Sequence, residues 1–143
     1  MRPFPRLLFA CAAAALLPGA ALHAAPAGAV ACHYTYGGET RTLLARPTAS
    51  PYAVKGVEVG SYFRFRVVLQ DAPADLASLK VYTYADFDEG PVLIHQASYP
   101  YPYPSPSPGG AGAPYGFSGL HFVYEPARDG ELQYWCERAE GGA

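Results

Sequence analysis

Three histidines, two cysteines and a set of tyrosines and arginines hold most of the reactive chemistry of this chain. His33, His95 and His121 are imidazoles on three separate segments. Imidazole is a good ligand for zinc or copper, and three on neighbouring strands could hold a metal with an open position. Cys32 and Cys136 stand near the two ends of the chain that follows residue 24. In an oxidising compartment such a pair is expected to form a disulfide. Tyr62, Arg64 and Arg66 alternate along one run, and Tyr99, Tyr101 and Tyr103 alternate with prolines. Tyr and Arg carry much of the energy of binding hot spots, and rings on a stiff, proline-rich backbone lose little entropy on docking.

Most catalytic signatures are absent. There is no Gly-rich phosphate loop, no His-Glu-x-x-His and no Cys-x-x-Cys. Gly116-Phe117-Ser118-Gly119 approaches a nucleophile elbow, but Leu120 stands where the motif needs its second glycine. A blue-copper site needs a thiolate, and both cysteines are committed to the bridge. Asp86, Asp88 and Glu89 read as a solvated hairpin turn, because the remaining donors of a calcium loop are missing. No catalytic residue is assigned, and the chain is expected not to be an enzyme.

Residues 1–24 read as a secretory signal peptide. Arg2 and Arg6 precede an apolar run over 7–17, Pro18 and Gly19 break it, and cleavage is expected after Ala24. Cys11 lies inside this segment. The apolar run is too short to span a bilayer. Residues 25–143 are expected to form one domain in the periplasm or outside the cell. The full chain carries a net charge of −2; without the signal, eight basic residues face twelve acidic ones, or −4. With no Lys/Arg cluster, nucleic acid and anionic membranes are not expected partners.

These groups must be positioned by strands, because no window shows helical apolar spacing. Segments 31–36 and 40–45 flank Gly37-Gly38 as a hairpin. A weaker strand covers 52–59. Along 62–69, Phe63, Phe65, Val67 and Leu69 are expected to face the core, with Tyr62, Arg64 and Arg66 outside. Residues 71–78 suit one helical turn capped by Asp71. Segments 79–85 and 92–98 form a second hairpin, and 117–124 and 131–137 a third. Between them, 99–114 is a Pro/Tyr-rich loop of polyproline II character.

Seven or eight short strands point to an all-β, antiparallel β-sandwich, immunoglobulin-like in general form, with one disulfide between its first and last strands. A small β-barrel is the alternative. Tyr134, two residues before Cys136, is similar in placement to the tyrosine corner of immunoglobulin-type sandwiches. Cys32 and Cys136 share parity with Tyr34, Leu132 and Tyr134, so the bridge is expected on the core side. Parity turns His33 and His121 outward and His95 inward, which works against a shared site.

The leading expectation is therefore a small exported binding module without a cofactor. It acts through the loop tyrosines 99, 101 and 103 and through the face of Tyr62, Arg64 and Arg66. Its partner is another exported protein or a saccharide. The alternative is a periplasmic copper- or zinc-binding protein using His33, His95 and His121.

Overall fold

The computed structural model describes residues 28–103 and 114–139. The signal peptide expected over 1–24 and most of the 99–114 loop lie outside them. Nine strands are assigned among the described residues: β1 (Val30–Tyr36), β2 (Glu39–Ala45), β3 (Pro47–Thr48), β4 (Val57–Val59), β5 (Phe63–Gln70), β6 (Ser78–Phe87), β7 (Gly90–Pro100), β8 (His121–Glu125) and β9 (Gly130–Arg138). Sheet I runs β2-β1-β9-β8, and sheet II runs β3-β5-β6-β7, with β4 also paired to β5. All pairings are antiparallel except the two-residue contact of β3 with β5. The sheets do not close into a barrel, so the sandwich expectation holds.

Alternation along the strands fills the space between the sheets. Phe63, Phe65 and Val67 of β5 meet Tyr34 of β1 and Leu132 and Tyr134 of β9 in one buried cluster. The Phe65 ring lies 5.2 Å from Tyr34 and 5.4 Å from Tyr134, a separation at which tilted aromatic pairs attract. Two local expectations change. Pro51 and Gly56 reduce the strand expected over 52–59 to a 3-10 turn (Pro51–Ala53) and the short β4. The helical turn expected over 71–78 is a 3-10 turn at Ala74–Leu76 preceded by Pro73, with no side-chain cap from Asp71.

Cys32 and Cys136 form the disulfide. They sit directly opposite each other on β1 and β9, with Cα atoms 4.1 Å apart, and both are fully buried. The bridge thus joins neighbouring strands of sheet I and leaves the two sheets to be held by packing. It encloses 104 positions of chain, a closure for which the chain-entropy treatment gives about 4–5 kcal/mol.

One end of the sandwich is closed by a buried ion pair. Glu125 is fully buried. It accepts hydrogen bonds from the backbone N–H groups of Ala127 and Arg128, both at 3.0 Å, and from Arg128 Nε at 3.2 Å. Arg128 then donates to the Asp86 carbonyl at 3.1 Å, and its guanidinium carbon lies 4.4 Å from the Tyr62 ring centre and 4.7 Å from that of Phe87. These contacts tie the β8–β9 turn of sheet I to the strand ends of sheet II.

Candidate functional site

Two places gather side chains that could do chemistry. The first is the outer face of sheet II. Pairing of β5 with β6 sets Arg64 opposite Tyr84 and Arg66 opposite Tyr82. The Arg66 guanidinium lies 5.1 Å from the Tyr82 ring centre and donates to the carbonyls of Val54 at 2.8 Å and Pro51 at 2.6 Å. Tyr82 and Tyr84 stack at 6.4 Å. Arg64 donates to Asp86 at 3.2 Å, with Glu58 at 3.8 Å, while its buried Nε has no partner among the described residues. Tyr52, 92% exposed, stands at the rim of a groove of about 390 Å³ that Lys55, Gly56, Arg64, Arg66, Tyr84 and Pro91 help to line. Gly56 is needed there, since a Cβ would fall 2.9 Å from Arg64 Cγ and 3.2 Å from the Phe65 carbonyl.

Tyr62 does not belong to this face. It precedes β5, and the Arg128 guanidinium covers its ring at 4.4 Å. The loop tyrosines also depart from expectation. β7 continues to Pro100, and the Tyr101 N–H donates to the Ala77 carbonyl at 2.9 Å, which folds residues 101–103 back over the core. Tyr103 is 4% exposed and stacks on Phe117 at 4.4 Å. Tyr101 packs edge-on against Tyr103, and Tyr99 edge-on against Phe117. Burying a tyrosine ring removes apolar surface from water; Tyr103 is buried here, while Tyr99 and Tyr101 are half-buried and packed against the core. Among the described residues the Tyr103 hydroxyl has no hydrogen-bond partner, and burial pushes its pKa up to about 12.

The second place is the seam between β7 of sheet II and β8 of sheet I. His95 Nε2 and the Tyr134 hydroxyl are 2.7 Å apart, and the Tyr99 hydroxyl and His121 Nε2 are also 2.7 Å apart. The two imidazole centres lie 5.7 Å apart, and His121 stacks flat on Tyr134 at 4.7 Å. His121 Nε2 further contacts the Ser118 carbonyl oxygen at 3.0 Å. Burial lowers the pKa of His95, and the neighbouring His121 lowers it further. Burial raises the pKa of both Tyr99 and Tyr134.

The structure reverses the facing expected for His121 on β8 and keeps the inward facing expected for His95 on β7. On β8 the buried positions are Val123 and Glu125, with His121 half-buried on the same side, while Phe122 and Tyr124 are more than half exposed. On β7 a register shift opposite Thr83 and Tyr84 inserts one residue, so Leu93 is exposed while His95 pairs with the buried Thr83. A bulge of this kind re-aims the side chains that follow it.

His33 does not join the other two histidines, so the three-histidine metal site is set aside. It projects from the opposite face of sheet I, where it stacks on Trp135 and contacts Thr42 Oγ1 at 2.8 Å and Glu137 Oε1 at 2.9 Å. Among the described residues, no group of three or more His, Cys, Asp or Glu side chains converges as a metal site. Ser118 is not poised as a nucleophile. Its hydroxyl accepts the Cys136 N–H at 2.7 Å and donates to the Gly119 carbonyl, and its contact with His121 is through the backbone.

Comparison with protein-family models, curated proteins and solved structures finds no match to this chain. Among the described residues no helix is long and apolar enough to cross a membrane. The disulfide is compatible with an exported protein.

Proposed function

We infer that this protein is a small, non-enzymatic interaction module that docks a carboxylate-rich segment of another exported protein on the outer face of sheet II. Export follows signal-peptide cleavage near Ala24 and places the protein in the periplasm or outside the cell. The observation that carries the reading is charge concentrated against the balance of the chain. The chain is net acidic, yet Lys55, Arg64 and Arg66 line one groove with Tyr52 and Tyr84, and Lys80 lies on the same face. Among the described residues, Glu58 and Asp86 pair with Arg64 and offset part of this charge. Complementary charge gives specificity and association rate, while exposed tyrosine supplies contact area. Arg66, fixed by two carbonyls and a ring, needs little further ordering on binding.

A Glu-rich peptide titrated at low and high salt tests this. Binding is expected at low salt, to weaken as salt screens the charges, and to be lost in Lys55→Glu/Lys80→Glu. Equal binding by that variant, or binding insensitive to salt, would remove the charged face as the docking surface. Preference for a neutral oligosaccharide over the peptide would replace the acidic partner with a saccharide.

A further inference from the structure

We propose that His95, His121, Tyr99 and Tyr134 form a Cu(II) site at the seam between the two sheets, separate from the Arg/Tyr face. The four residues come from β7, β8 and β9, and their polar atoms are brought together in two close imidazole–phenol pairs. Each pair is 2.7 Å apart. Two donors about 2.0 Å from one ion and at right angles to each other lie roughly 2.8 Å apart. Each hydrogen-bonded pair therefore already has the spacing of two adjacent ligands, and the 5.7 Å between imidazole centres lets both rings reach one ion.

The donor set selects the metal. Two imidazole nitrogens with two phenolate oxygens make a mixed N/O set, which suits tetragonal Cu(II), and Cu(II) binds such sets more tightly than the other divalent first-row ions. Charge balance favours it as well. Two phenolates cancel the charge of the ion, so the half-buried seam is left neutral.

Binding exchanges protons for metal. Both phenols release theirs, and the proton that His121 Nε2 directs at the Ser118 carbonyl moves to Nδ1, so that the ring ligates as neutral imidazole. No oxidation state changes. Support around the donors resembles the outer shell of a metal site: Phe117 braces Tyr99, and Ser118 anchors its turn to β9 through the Cys136 N–H.

Copper sulfate titrated into the metal-free, disulfide-intact protein tests the site. One equivalent is expected to bind, to raise Tm and to give a phenolate-to-copper charge-transfer band. Electron paramagnetic resonance of the wild-type complex is expected to show coupling to two imidazole nitrogens, a readout that needs no variant to fold. Tyr99→Phe should diminish the band, His121→Gln should weaken binding by about tenfold or more, and His33→Gln should change neither. Absence of binding, a complex without the band, binding unaffected by His121→Gln, or binding lost in His33→Gln would overturn the proposal.

Discussion

The Tyr134 hydroxyl and His95 Nε2 meet at 2.7 Å, joining β9 of sheet I to β7 of sheet II through a polar contact beside the apolar core. Tyr134 is fully buried. A phenol in that position must find a partner, because an unpaired buried hydroxyl is costly.

Tyr134→Phe keeps the ring and removes that partner, leaving the His95 nitrogen unsatisfied. The metal-free variant is expected to lose about 1–3 kcal/mol, read as a lower midpoint in chemical denaturation. An unchanged midpoint would show that water replaces the hydroxyl without cost.

Removing the disulfide acts on the unfolded chain. Cys32→Ala/Cys136→Ala is expected to cost about 2–5 kcal/mol, with the native circular dichroism spectrum kept under conditions where the variant is still folded. A thiol assay on the denatured, unreduced wild type is expected to find Cys32 and Cys136 unreactive; free thiols at these two positions would contradict the bridge.

Glu125→Ala strands the Arg128 guanidinium and two N–H groups at the closed end of the sandwich. Breaking a buried pair from one side costs about 3–5 kcal/mol. A double variant, Glu125→Leu with Arg128→Met, is expected to recover part of that loss. No recovery would mean that the carboxylate acts mainly on the turn backbone and little through the ion pair.

Tyr103 sets an alkaline limit. Its folded-state pKa is raised to about 12 by burial, against about 10 in the unfolded chain. The folded state therefore binds the phenol proton more tightly. That contribution to stability is complete below pH 10 and is lost as pH rises from 10 through 12. Wild type is expected to weaken across that window. Tyr103→Phe should flatten the loss and, since the hydroxyl has no partner among the described residues, equal or exceed wild-type stability at neutral pH. An identical alkaline transition in the variant would assign it to another group.

The strands and the bridge were legible because their signals are local or nearly so. Alternation in 62–69 gives the core face of β5, Gly37-Gly38 marks a hairpin, and the shared parity of Cys32, Tyr34, Tyr134 and Cys136 puts the disulfide inside. The candidate sites were less legible. His121 and Glu125 are polar residues on the inner side of β8, and Phe122 and Tyr124 are aromatic residues on its outer side. A reading that sends apolar residues inward inverts this strand. On β7 one inserted residue shifts the facing near His95, and nothing in the composition of 90–100 announces it. The tyrosines at 99, 101 and 103 looked like display because proline excludes them from a ladder, yet burying a ring needs no ladder.

The sequence by itself determined an all-β chain of short alternating strands, a pairing of Cys32 with Cys136, and Arg64 and Arg66 on the outward side of β5. Period-two geometry and turn chemistry act between near neighbours, and so they can be read along the chain. Tertiary structure alone decided that His95 and His121 converge with Tyr99 and Tyr134 while His33 stands on the opposite face of sheet I. Those contacts depend on which strand edges meet across the sandwich, and that is set by packing of the whole core and by polar groups that become acceptable inside only once their partners arrive.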